Sequence, residues 1–290
     1  MTDQGADDQD DGSRFSALVG EQVNFWEIID LSDKHHIDRV VALAVSAYQG
    51  KLVDARPGML LDFLTHAVPL VRKSSSQLMQ DIFASFAVGD RAPLTFLEFG
   101  ASDGVYMSNS LMLDRDMGWT GVLSEPSIYW HEALRGNRPK ARILTECVWR
   151  ATGEQLEFFE SECAPLSTLA NYRYSDAGYL PGNSKERNTS GRSIQVESLS
   201  LNDLVDREFG GEAPSYISLD TEGSEYEILK AFDFGRFRPI VLTVEHNFTD
   251  EQRLIDGLME GAGYLRVFRN LTAFDAWYMR ADLNVWAEEK

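Results

Sequence analysis

The sequence predicts an α/β protein with a doubly wound sheet, and three stretches carry that prediction. Phe96–Tyr106 (FLEFGASDGVY) is an apolar run that breaks into an acidic, glycine-bearing turn and leads into the helical pattern Ser108–Leu113. Gly118–Pro126 (GWTGVLSEP) is a short strand closing on an acid. Tyr216–Glu225 (YISLDTEGSE) is again a strand running into an acidic turn and then a helix. Strands that alternate with helices in this way pair in parallel beneath the helices that connect them.

Taken in order, residues 1–13 hold Asp, Gly and Gln with almost no apolar content, the composition of a disordered acidic tail. Residues 14–90 form a helical cap. Ile37, Val40, Val41, Leu43, Ala44 and Ala47 recur at helical spacing, Pro57-Gly58 breaks the pattern, and Met59–Val71 and Ser75–Phe86 resume it. His35 and His36 are adjacent and face different directions on a helix, so they make no joint metal site. Residues 91–290 form the α/β domain. After Glu125 come helix Tyr129–Leu134, strands Arg142–Cys147 and Leu156–Glu160, helix Leu199–Glu208, strand Tyr216–Asp220, helix Ser224–Phe232, strand Ile240–Glu245 and helix Asp250–Gly261. Tyr264–Phe268 and Trp277–Met279 suit an antiparallel edge hairpin. Pro165–Arg192 is long, polar and turn-rich; segments of that kind are floppy insertions or lids, and its Arg173, Lys185, Arg187 and Arg192 would offset an acidic pocket beneath a lid.

Composition narrows the function. A chain of 290 residues with 43% hydrophobic content builds a full core. Its longest apolar runs, such as Val40–Val45 and Ile240–Val244, are far shorter than a membrane span, and the acidic N-terminus is unlike a signal peptide. Two cysteines, Cys147 and Cys163, fit a reducing compartment, and the cytoplasm is the expected location. A net charge of −19 argues against nucleic-acid partners, which need concentrated Lys and Arg. Removing the five Asp of Met1–Gly12 leaves the remainder strongly acidic, so the acidity belongs to the whole domain.

The chemistry gathers at strand ends. Gly100, Ser102, Asp103 and Gly104 form the first turn, where glycine permits tight bending, and Glu98 and Asp103 bring carboxylates to it. A pyrophosphate would be repelled there. The dinucleotide fingerprint also fails, since Ser102 and Val105 stand where its second and third glycines belong. Glu125 follows the turn at the ~20-residue spacing of an acid that binds both hydroxyls of a ribose. A ribose joined to a cationic amino-acid tail describes S-adenosylmethionine. Asp220, Glu222 and the Glu245-His246-Asn247 run reach the same rim, because ligands of open α/β sheets lie outside the carboxyl ends of the strands. Two mechanisms fit this rim. His246 or Asp220 accepts a proton from an acceptor hydroxyl, the favoured reading; alternatively Asp220, Glu245 and Asn247 hold a divalent cation such as Mg²⁺. Glu225 is explained as a helix N-terminal acid.

From Ser75 to Met279 the sequence resembles the FkbM family of methyltransferases. The resemblance rests on Ser76-Gln77-Leu78-Met79-Gln80-Asp81, Glu98-Phe99-Gly100-Ala101-Ser102-Asp103-Gly104, Ser108-Asn109-Ser110, Gly118-Trp119-Thr120-Gly121 before Glu125-Pro126, Leu219–Glu225 and Glu245-His246-Asn247. It implies a class I methyltransferase (Rossmann-like) fold and S-adenosylmethionine-dependent O-methylation of a small molecule such as a sugar, glycan or polyketide. It implies cofactor contacts from Glu98, Gly100, Asp103, Asn109 and Glu125, an adenine-side position at Glu146-Cys147, and Asp220, Glu222 and His246 facing the acceptor. Asp220, at a strand end on the same rim, is also a candidate for the cofactor shell. N-methylation of a small amine, a silent binding module of the same fold, and an NAD-dependent or nucleotide-sugar enzyme are the competing readings.

Overall fold

The structure, a computed structural model, describes residues 57–67, 69–91, 93–269 and 271–285. The acidic tail, most of the helical cap and the His35-His36 pair lie outside the described residues. Helix α1 (Pro57–Ala67) begins at the proline that breaks the preceding pattern, and proline is tolerated at a helix start because its missing N–H would be unpaired there anyway. Met59, Leu60, Phe63, Leu64 and Ala67 form its buried stripe. Helix α2 spans Gln80–Val88 rather than starting near Ser75. Met79 sits in the left-handed region at φ 68°, and Gln80 accepts from the Leu78 N–H, so a tight turn precedes the helix.

Next come β1 (Thr95–Phe99), α3 (Leu111–Met117), β2 (Thr120–Ser124), α4 (His131–Asn137) and β3 (Arg142–Leu144). Strands β4 (Cys147–Trp149), β5 (Gln155–Ser161) and β6 (Thr168–Leu169), helix α5 (Pro181–Arg187) and strand β7 (Gly191–Ser200) follow. The chain continues through α6 (Leu201–Phe209), β8 (Tyr216–Leu219), α7 (Glu225–Ala231), β9 (Val241–Glu245), α8 (Glu251–Gly261), β10 (Tyr264–Val267) and β11 (Asp275–Arg280).

Among the described residues seven strands form the main sheet in the order β3-β2-β1-β8-β9-β11-β10. Numbered by their sequence within this sheet, that order is 3-2-1-4-5-7-6. Pairings from β3 to β9 are parallel, and β11 is antiparallel to both β9 and β10. This is the class I methyltransferase topology. The central strands are apolar in consecutive positions because both faces are covered. Phe96, Tyr216 and Val241 pack into one core with α1 and α2, and their neighbours Leu97, Ile217 and Leu242 pack into the other. In the first core Phe83 stacks on Trp277 with ring centroids 4.7 Å apart.

Two further sequence expectations are corrected. Arg142–Cys147 is two strands, since Arg142–Leu144 pairs with β2 whereas Cys147–Trp149 pairs with β7 in a separate four-stranded sheet, β4-β7-β5-β6. Pro165–Arg192 is not an irregular loop. It holds β6, α5 and the start of β7, and β7 pairs with β5 in register from Gln155↔Glu197 to Ser161↔Gly191. Among the described residues no helix is long and apolar enough to cross a membrane.

Candidate active site

A cavity of about 500 Å³ opens at the carboxyl ends of β1, β2, β8 and β9. Its floor comes from the strand ends. Its roof comes from the insertion, through residues such as Pro165, Leu166, Ser167, Leu180, Asn183 and Glu186.

Glu98 is buried near the end of β1. Its carboxylate accepts from the Asn109 N–H at 2.8 Å and from the hydroxyls of Ser108 and Ser110. The fully buried Arg138 donates to the same two hydroxyls and to Asp114. Glu98 thus organises the Ser108–Ser110 turn and presents Asn109 on the cavity wall. The Asn109 amide donates to Ser218 Oγ, while its buried Oδ1 has no partner among the described residues.

At Gly100 a Cβ would run into the Asp220 backbone carbonyl, and φ is 68°, so β1 and β8 close together only with glycine there. The other turn residues divide differently from the sequence expectation. Ser102 lines the cavity and donates its N–H to Glu125. Asp103 does not line it, because Oδ1 accepts from the N–H groups of Val105 and Tyr106, both at 2.8 Å, and so caps the turn. Gly104 is a packing residue, whose Cβ would meet Leu134 at 2.6 Å and Arg138 at 2.7 Å.

Glu125 lies buried at the end of β2 and accepts one backbone N–H on each oxygen, from Ser102 at 2.9 Å and Ser127 at 2.8 Å. Burial pushes its carboxyl up to about 7. Cys147 also lines the cavity, and burial keeps it a thiol, pushed up to about 12. Glu146 is a correction: its carboxylate turns outward to Arg207 at 2.8 Å and is not part of the cavity wall.

Three further acids line the cavity, from the ends of β8 and β9. Asp220 and Glu245 share a hydrogen bond, and enclosure raises the pKa of both. Glu245 also accepts from the Asn247 amide at 2.8 Å. Glu222 sits in the left-handed region at φ 60°, with its carboxylate on Arg187 at 2.5 Å. Oxygens of Asp220, Glu222 and Glu245 lie within 4.8 Å of one another, whereas Asn247, placed in the cation set by the sequence, is engaged by Glu245.

His246 departs most from expectation. It is buried away from this cavity, against a smaller one of about 240 Å³. Nδ1 accepts from the Phe248 N–H at 3.0 Å, so the proton sits on Nε2, which donates to the Asp275 carbonyl at 3.1 Å. Burial and the nearby Arg266 lower its pKa to about 4, and both ring nitrogens are occupied. It has no free lone pair for an acceptor proton.

Several lining residues escaped the sequence reading: Gln77 and Gln80 ahead of β1, Ser218 and Thr243 inside strands, Glu186 in the roof and Asp275 on β11. The Ser76–Asp81 motif contained the first two without revealing their role, and the polar residues inside otherwise apolar strands were the available signal for Ser218 and Thr243.

The strand order and the cavity at its carboxyl edge define a class I methyltransferase architecture. The methyltransferase FkbM domain model matches residues 98–268, more than half of the chain, and the chain belongs to that family. Among solved structures it is similar to fibrillarin in a fibrillarin/NOP5P complex, at 16% identity over 71% of this chain and 80% of that one, with a TM-score of 0.34. It is also similar to an O-methyltransferase family protein from Burkholderia thailandensis, at 15% identity over 84% of this chain and 70% of that one, with a TM-score of 0.35. No curated protein matches.

Proposed function

We propose that this chain is an S-adenosylmethionine-dependent methyltransferase that methylates a hydroxyl of a small molecule, such as a sugar, glycan or polyketide. The observation that carries this reading is one cavity whose wall brings Glu125 and Asn109 together with the three clustered acids Asp220, Glu222 and Glu245. The residues fit the cofactor. Each Glu125 oxygen keeps acceptor capacity for a ribose hydroxyl, and the unpaired, buried Asn109 Oδ1 suits an ammonium donor. S-adenosylmethionine supplies an electrophilic methyl group when bound.

The chain's own residues supply positioning and proton transfer. Glu98 fixes Asn109, Ser102 fixes Glu125, and the roof limits water access. Asp220 takes the acceptor's proton through an oxygen not shared with Glu245; this replaces His246 in the base role. An amine acceptor is the second reading, favoured by a wall rich in carboxylates with no Lys or Arg among the described lining residues. A divalent cation on the three acids is favoured by their spacing and opposed by the Arg187 contact of Glu222. Calorimetry with S-adenosylhomocysteine tests the core of the proposal: micromolar binding is expected, and none well above ordinary cofactor concentrations would remove the enzyme reading.

A further inference from the structure

We propose that Arg187 is a positioning residue that ties the roof of the cavity to its acceptor-side wall through Glu222. The inference rests on the reading of the Glu222 side as the acceptor side. Arg187 is the last residue of α5, and its side chain is completely buried. All five guanidinium hydrogens have acceptors. Nε donates to the Leu166 carbonyl at 2.8 Å, Nη1 to the Arg173 carbonyl at 3.2 Å and to Asp176 Oδ1 at 2.8 Å, and Nη2 to Asp176 Oδ2 at 3.1 Å and Glu222 Oε2 at 2.5 Å.

Four of these bonds stay within the inserted segment. The fifth crosses to the loop after β8. Burying an arginine stabilises little unless every donor is matched, and here the match spans two separate elements. The loop it reaches needs holding. Glu222 has φ 60° and Gly223 φ 120°, conformations costly for a side-chain-bearing residue unless neighbours over-determine them. Thr168, on β6, donates its hydroxyl to the Glu222 carbonyl at 3.0 Å, a second tether from the insertion. Glu225 takes the Thr221 N–H at 2.7 Å and the Gly223 N–H at 3.0 Å from the other side.

The insertion is therefore a fixed wall that shapes the acceptor end, and Arg187 sets where the Glu222 carboxylate stands. Cofactor-side residues Glu125 and Asn109 take no part in this network.

The test compares the full chain with Arg187→Gln, Arg187→Lys, Glu222→Gln and the Arg187→Gln/Glu222→Gln double variant. The probes are S-adenosylhomocysteine and whichever of a panel of methyl glycosides and hydroxylated polyketide analogues turns over. Expected are an acceptor KM raised about tenfold or more in Arg187→Gln, the scale of one lost charged hydrogen bond, and S-adenosylhomocysteine affinity within about twofold of wild type, the range left by an untouched site. Arg187→Lys recovers part of the KM, and the double variant is no worse than the poorer single one. Equal loss of cofactor and acceptor binding, or an unchanged KM, would overturn the proposal. If Arg187→Gln does not fold, or no acceptor is found, hydrogen exchange on Glu222→Gln decides: faster exchange in residues 165–187 with β9–β11 unchanged supports the tether, and unchanged exchange there refutes it. Failure of wild type to bind S-adenosylhomocysteine would overturn the functional reading while leaving the exchange result to judge the tether.

Discussion

Glu125 accepts the backbone N–H of Ser102 at 2.9 Å, so the end of β2 holds the turn after β1 in place. The same carboxylate is the proposed ribose acceptor. Glu125→Gln keeps its shape and loses its charge, and S-adenosylhomocysteine affinity should weaken by about 1.5–3 kcal/mol, the worth of a charged hydrogen bond. Calorimetry measures this, and unchanged affinity would remove Glu125 from the cofactor site.

Gly100→Ala places a methyl group against the Asp220 backbone carbonyl in a left-handed conformation. Backbone cannot swing aside as a side chain can. A loss of about 1–3 kcal/mol or more in urea-unfolding free energy is expected. Gly118→Ala is the control: it shares a positive φ and no described residue lies within 4 Å of its Cβ, so it should lose only about 1 kcal/mol.

Asp220→Asn removes the proposed proton acceptor while preserving size. Turnover should fall about 10²–10⁴-fold, the usual contribution of a general base, with cofactor affinity unchanged. His246→Asn should instead reduce stability, since the Phe248 N–H loses its acceptor and the Asp275 carbonyl loses one of its two side-chain donors. Turnover insensitive to EDTA is expected alongside; abolition by EDTA and recovery with Mg²⁺ would favour the cation on Asp220, Glu222 and Glu245.

Acidity should strengthen the fold over a defined range. Burial holds Asp81 at about 6 and Glu125 and Asp275 at about 7, and Asp220 and Glu245 are raised as well. A raised carboxyl binds a proton in the folded chain while the unfolded chain has lost it. Its stabilising contribution is full below about pH 4 and is lost as pH rises through about 7. His66 and His246 are lowered by burial and act in the opposite sense below their ordinary value, but the acids outnumber them. The thermal midpoint should therefore rise as pH is lowered from 8 to 5. A steady fall over that range would contradict these protonation states.

Anionic acceptors should be rejected. Glu98, Glu125, Glu186, Asp220, Glu222 and Glu245 all line the cavity, and no Lys or Arg does among the described residues. A phosphorylated form of a working acceptor should show a KM at least about tenfold higher, as expected for unpaired like charge. Equal turnover of the two forms would contradict the prediction.

The main sheet was legible because its central strands are buried on both faces and stand out as largely apolar runs that end on polar turns, as in Phe96–Phe99 before Gly100 and Val241–Val244 before Glu245. The second sheet was not. Arg142–Cys147 reads as one strand because sequence shows which residues extend but not that Arg142 and Cys147 pair with different partners. β7 pairs with β5 across the very segment whose prolines and glycines suggested a loop. At the site, Glu125 and Asp220 were visible from spacing and strand ends. His246 misled, since its place after a buried strand is that of a catalytic base. The left-handed backbone at Asn247 and Phe248 brings the Phe248 N–H onto its Nδ1, a local geometry that residue identity does not reveal. Arg187 was counted only as a loop cation, because burial of a charge depends on acceptors distant in sequence.

β11 lies between β9 and β10, although the chain forms β10 first. During synthesis β10 therefore has no partner within the sheet, and the hydrogen-bonding edge of β9 stays open until Asp275–Arg280 arrives. An open edge invites pairing with other chains. The nascent protein thus passes through a stage at which the β9 edge stands open beside an unpaired β10, and the guard of both is the last strand of the sheet to be made.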